Sequence, residues 1–313
     1  MKRRQQVATS VVSFEKKERR TKEMGKALKV HLVVIDGQND FMGNDDGTPY
    51  SVKLADGKAL TATLPVKGAV SDMKRLAKMI DRVGNKLEDI HATLDSHRVI
   101  DVAHGGMWRN ENGKSPNPFT IISSNDIVNR IWTPRNPNLR QRMIDYARTL
   151  EAGGNYLLII WPEHCLIGTW GHNVQADLAE AFLRWERSQY ANVDYVVKGT
   201  NPYTEHYGAL MAEVQDPSDP STQLNTAFLG VMQDADIIGF AGEASSHCVL
   251  TTLKQVVHNI GKEHLKKFQL LIDCMSPVAP APGTPDFPAI ADKFLKEMAA
   301  EGMTLTTSTE FLR

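Results

Sequence analysis

Cysteine is scarce: Cys165, Cys248 and Cys274 are the only three in 313 residues, too few and too scattered for a disulfide framework. No secretory-type apolar stretch precedes them, so the expected setting is reducing and cytoplasmic. No window approaches the roughly 18 uninterrupted apolar residues of a spanning helix, and no membrane association is expected. A basic excess is missing too. Lys and Arg number 36 against 37 Asp and Glu, for a formal net charge of −1, which argues against a polyanion such as nucleic acid as a ligand for the body of the protein. The sequence contains no internal repeat.

What remains is the balance of an ordinary globular chain, 42% hydrophobic and 23% charged, able to bury a full core. Charge is unevenly spread. Residues 1–29 hold ten Lys/Arg and three Glu (Glu15, Glu18, Glu23) and form a basic arm, read as a solvated tail or an added surface helix. Residues 30–313 read as a single α/β domain.

The run Val30-His31-Leu32-Val33-Val34-Ile35 ending in Asp36 reads as a strand buried on both faces. Met73, Leu76, Ala77, Ile80 and Val83 then recur at helical spacing, and Gly84-Asn85 stops them. The alternation continues with strands expected at 90–94, 156–160, 194–197, 236–242 and 268–272. Helices are expected at 173–188 and 246–260, with Gly261 as a C-terminal stop. Strands alternating with amphipathic helices imply right-handed crossovers and a doubly wound, mostly parallel six-stranded sheet with helices on both faces. Two stretches, near 98–136 and 215–223, break the alternation and read as loop insertions.

Ligands of open parallel sheets bind at the carboxyl ends of the strands, so the residues each strand runs into matter most. The first strand ends in Asp36, the second in Asp95-Ser96-His97, the third in Trp161-Pro162-Glu163-His164-Cys165 and the fourth in Lys198-Gly199. The fifth runs through Gly242-Glu243-Ala244-Ser245-Ser246-His247 to Cys248 at the start of a helix. A thiol there feels the helix dipole and free N–H groups, which favour the thiolate. Lys198 follows an apolar run, and a buried ammonium needs a carboxylate partner, which Asp36 can supply. Base, cation and sulfur nucleophile suffice for acyl transfer through a thioester. Asp95, His97, His104 and His164 form a second group whose one carboxylate and three imidazoles suit zinc, iron or manganese. Taken alone, each signal has a plainer reading: Asp36 as a turn residue, Cys248 as a small buried hydrophobe.

Five segments in order, VVIDGQNDF (33–41), ATLDSH (92–97), WPEHCLIGTWG (161–171), VVKGTNPYTEHYGAL (196–210) and GEASSHCV (242–249), resemble the nicotinamidase branch of the isochorismatase-like cysteine hydrolases. The resemblance spans residues 30 to about 275. It implies an isochorismatase-like hydrolase fold and a catalytic triad of Asp36, Lys198 and Cys248. It implies metal ligation by Asp95, His97 and His164, with His104 matching a further histidine of some members. One divalent ion follows, zinc before iron or manganese. Phe41 and Trp161 fall where the family sandwiches an aromatic ring; without the resemblance they read as core. Glu243-Ala244 falls where the family has a cis peptide, which would aim the N–H groups of Ala244 and Cys248 as an oxyanion hole. Ser246 departs from the Asp of many members, and the arm and insertions exceed the family core.

The activity implied is hydrolysis of nicotinamide to nicotinate and ammonia through a cysteine thioester, as in pyridine nucleotide salvage. The partner expected is a small-molecule amide, and a homo-oligomer is compatible with the sequence. Three rival readings stand beside it: a related amidohydrolase acting on a carbamoyl or ureido substrate, a metallohydrolase with Cys248 a bystander, and a non-catalytic binding protein.

Overall fold

Val30–Ile35 (β1) is buried along its whole length, as its β-branched run predicts, because strands flank it on both sides and helices cover both faces. The computed structural model describes residues 28–153 and 156–313; nearly all of the basic arm lies outside the described residues. The central sheet adds Asp89–Asp95 (β2), Asp194–Lys198 (β3), Ile237–Gly242 (β4), Phe268–Leu271 (β5) and Thr304–Thr306 (β6). Its order is β6-β5-β4-β1-β2-β3, and every pair is parallel. The winding reverses between β1 and β4, which opens a crevice at their carboxyl ends.

Helix Ala69–Val83 (α1) matches its predicted stripe and turns Leu76, Ile80 and Val83 inward. It packs against Ala176–Gln189 (α3), whose first turn is capped by the Gln175 side chain accepting the Leu178 N–H at 3.0 Å. Between them in the chain lies Arg140–Gly153 (α2). Thr226–Asp234 (α4) packs against Cys248–Ile260 (α5), and Phe287–Ala300 (α6) precedes β6. Among the described residues no helix is long and apolar enough to cross a membrane.

The structure corrects one strand. The segment expected at 156–160 is absent from the central sheet. Leu158–Ile159 instead pairs antiparallel with Ile121–Ile122, and the sixth central strand is β6. Residues 98–136, expected as a loop, carry short elements, and with α2 they enclose a second hydrophobic cluster that includes Trp108, Ile127, Met143 and Tyr146.

Candidate active site

Four strand ends meet at the crevice. Asp36 follows β1 in a left-handed conformation (φ 44°), accessible to Asp at modest cost. Its N–H donates to Thr93 Oγ1 at 3.0 Å, and the Thr93 hydroxyl donates to Asp36 Oδ1 at 2.5 Å. Asp95 ends β2 and Lys198 ends β3. Gln38 grips β2 as a surrogate strand, its side chain accepting the Asp95 N–H and donating to the Asp95 carbonyl, both at 2.8 Å. Beyond β4 the chain turns at Gly242 (φ 116°), where a Cβ would lie 2.0 Å from the Ile35 carbonyl oxygen. Only glycine fits there. The turn leads to Cys248, the first residue of α5.

Lys198 is the hub. Its Nζ lies 2.9 Å from Asp36 Oδ2, 2.9 Å from Asp95 Oδ1, 3.0 Å from the His206 carbonyl and 3.6 Å from Cys248 Sγ. Burial favours loss of its proton, but the two carboxylates outweigh this and hold the ammonium well above its usual range. Burial pushes Asp36 upward, with Lys198 opposing and Asp95 adding to the rise. Burial also disfavours Asp95 ionisation, but His97 and Lys198 reverse the effect and hold it well below the usual carboxylate range. The thiolate expected at Cys248 is not the resting state. Desolvation raises the thiol well above its ordinary value, Lys198 opposes, and the charges of Asp36 and Asp95 raise it further. Deprotonation therefore requires a base nearby, and Asp36, held by the same Lys198 ammonium that touches the sulfur, is the carboxylate placed for it.

Asp95, His97 and His164 bring potential ligand atoms within 4.8 Å of one another, all three buried. His97 Nε2 is 3.0 Å and His164 Nε2 is 3.5 Å from Asp95 Oδ2. Each ring is oriented from behind. Asp101 Oδ2 lies 3.2 Å from His97 Nδ1, and the Pro162 carbonyl lies 2.9 Å from His164 Nδ1. Carboxylate and carbonyl partners of this kind fix metal-ligating imidazoles, and one carboxylate with two imidazoles suits zinc, iron or manganese. The residues fit such an ion. His104 stands beside the trio and outside it: its Nδ1 meets the Arg98 carbonyl at 3.0 Å and its Nε2 meets His164 Nδ1 at 3.3 Å. Burial, together with His164 and His97, lowers its pKa to about 3.

The loop bearing His164 is tied to the loop after β1. Asp40 Oδ2 accepts the Cys165 N–H at 2.7 Å. A Cβ at position 171 would lie 1.9 Å from that same oxygen, so glycine is needed there. Cys165 thus contributes its backbone, while burial raises its thiol well above the ordinary value.

A pocket over Cys248 is lined by Phe41, Trp161, Asp95, His164 and Ala244, and also by Leu64, Glu205, Tyr207, His247 and Val278. The second set escaped sequence reasoning. Tyr207 takes the Trp161 Nε1–H at 3.1 Å. His247 stacks on Tyr156 with centroids 4.7 Å apart, and the Tyr156 hydroxyl donates to the Ser246 carbonyl. Burial lifts Glu205 to about 8. The adjacency of Glu205 and Tyr207 to Lys198, and of His247 to Cys248, was the available signal. The Glu243–Ala244 peptide is cis. Among the described residues no other backbone group takes the N–H of Ala244 or of Cys248.

No family model matches the sequence, and no curated protein matches it. Solved structures do. A nicotinamidase/pyrazinamidase from Acinetobacter baumanii is similar at TM-score 0.53 and 18% identity, covering 91% of this chain and 99% of that one. The yeast nicotinamidase Pnc1p is similar at TM-score 0.54 and 17% identity, covering 88% and 99%; the same yeast enzyme bound to the inhibitor nicotinaldehyde gives 0.54, 17%, 89% and 99%. At these identities the likeness is one of fold. This chain has the doubly wound α/β fold of those nicotinamidases.

Proposed function

We propose that this protein is a cysteine amidohydrolase whose substrate is nicotinamide, released as nicotinate and ammonia. The carrying observation is the Lys198 ammonium, which at 2.9, 2.9 and 3.6 Å joins Asp36, Asp95 and Cys248. It links an acid–base–nucleophile group to the Asp95, His97 and His164 trio in one pocket. That solved structures of the same fold are nicotinamidases supports the reading.

Asp36 takes the Cys248 thiol proton as the sulfur attacks the carboxamide carbon. The N–H groups of Ala244 and Cys248 hold the developing oxyanion. Collapse expels ammonia, which leaves with the proton from Asp36, and a thioester remains. Asp36 then takes a proton from water as it attacks the thioester; nicotinate departs and the thiol is regenerated. Lys198 keeps Asp36 oriented and favours its ionised form. A divalent ion held by Asp95, His97 and His164 would supply a Lewis-acid position for the pyridine nitrogen, fixing the ring between Phe41 and Trp161. The cavity is about 30 Å³, room for little more than ordered water, so a ring-sized amide enters as the lining side chains part.

Ammonia release from nicotinamide and benzamide tests the reading. The two share shape and scissile bond, but only nicotinamide offers a ring nitrogen. Benzamide should react far more slowly with metal-replete enzyme, and chelation or His97→Ala should erase most of the difference. Equal rates, or discrimination unchanged by chelation, would favour the carbamoyl or ureido alternative.

A further inference from the structure

The amino edge of the same sheet carries a second buried cluster that takes no part in this chemistry. Register places Asp89 opposite His31 on β1, and Asp194 on β3 opposite His91 on β2. The two imidazoles are only 5% and 4% exposed and stack with centroids 5.2 Å apart. His31 Nδ1 lies 3.1 Å from His91 Nε2. Their other nitrogens face carboxylates: His91 Nδ1 is 2.8 Å from Asp194 Oδ2, and His31 Nε2 is 3.7 Å from Asp89 Oδ2. A ligand atom from each of His31, Asp89 and His91 lies within 4.8 Å of the other two.

Two stacked imidazoles are an expensive way to fill a sheet face that Phe228 of α4 covers. Their spacing matches a different use. Two nitrogens each about 2.0–2.1 Å from one zinc ion stand about 3 Å apart, and a ligating imidazole ordinarily donates its remaining N–H to a carboxylate. Asp194 offers that acceptor to His91. Asp89 and Asp194, with side chains 45% and 55% exposed, leave a route from solvent.

We propose that His31 Nδ1 and His91 Nε2 hold a second divalent metal ion, zinc or a similar borderline ion, with Asp89 orienting His31, Asp194 orienting His91 and solvent completing the coordination shell. The ion takes the place of the proton shared between the two rings, which leaves to solvent, and cross-links β1 to β2 at the end opposite the catalytic rim. Asp89 and Asp95 stand at the two ends of β2, roughly 20 Å apart, so the two sites load independently.

The test is zinc content per chain, measured by elemental mass spectrometry on full-length protein equilibrated with zinc and desalted. It reads binding rather than turnover, so it stands apart from the amide-hydrolase reading. His91→Gln should hold one zinc fewer than wild type, His97→Ala also one fewer, and the double variant two fewer. Wild-type zinc content in His91→Gln would overturn the proposal. A second measurement uses the half-exposed Asp89, whose replacement leaves the core intact. Zinc should raise the Tm of His97→Ala but raise it much less in His97→Ala/Asp89→Asn, while Asp89→Asn alone keeps wild-type nicotinamide turnover. Absence of any zinc-dependent rise in His97→Ala would refute the site.

Discussion

Three cysteines show how little residue type says without surroundings. All are buried and free, yet only Cys248 stands within reach of Lys198 and Asp36. Cys248→Ala should abolish ammonia release with the fold intact by circular dichroism, while Cys165→Ala retains substantial activity; the reverse pattern would move the nucleophile. Asp36→Asn should lower kcat by about 10²–10⁴-fold, the usual worth of a positioned general base, and a variant keeping most of its rate would place the base elsewhere. Glu243, on the cis peptide before Ala244, is a different kind of carboxyl. Burial raises it well above its ordinary 4.5, Asp72 raises it further through charge and a hydrogen bond, and its Oε2 accepts the Ser276 N–H at 3.1 Å. Its neutral form is therefore favoured. A folded pKa above the unfolded one means stabilisation fully present below about pH 4.5 and lost as pH rises through the folded value. Glu243→Gln keeps the neutral shape without the titration, so in urea melts it should gain on wild type as pH increases. Glu243→Ala, which strands buried partners, should lose about 1–3 kcal/mol. A Gln variant whose deficit grows with pH would contradict the assignment.

At the scale of elements, strong periodicity was legible and short or weakly patterned segments were not. The helix predicted from Val70 to Val83 and the strand at Val30 stand close to where their patterns put them. The six-strand count holds while one member differs. Tyr156 to Ile160 has the composition of a buried strand, but the cluster behind it draws Leu158 and Ile159 into a separate pairing. Thr304–Thr306 is three residues long, too short to show a period. The site residues at strand ends were readable because a sheet edge collects them regardless of what lies between; Glu205, Tyr207 and His247 were not, because long-range packing turns them into the pocket. The last turn after β6 also matters. Phe311 is fully buried, and a Cβ at Gly239 on β4 would come within 2.8 Å of its ring. Phe311→Ala should therefore cost about 3–5 kcal/mol in chemical denaturation with kcat of the folded enzyme nearly unchanged. A loss below 1 kcal/mol would show that the C-terminal turn does not anchor the sheet.

For the whole molecule, the reversal of winding between β1 and β4 brings residues from distant parts of the chain to one crevice. Deleting residues 1–27 should leave turnover close to wild type, since no site residue lies there; a large loss would mean that the arm completes the site or an assembly. The central claim is covalent: the amide carbon passes through sulfur. Mass spectrometry of enzyme quenched during nicotinamide turnover, followed by peptide mapping, tests it most directly. The account predicts a nicotinoyl group on the peptide containing Cys248, absent in Cys248→Ala. Steady ammonia release with no acyl adduct under conditions that trap thioesters, or an adduct on Cys165, would contradict it and favour direct attack by water.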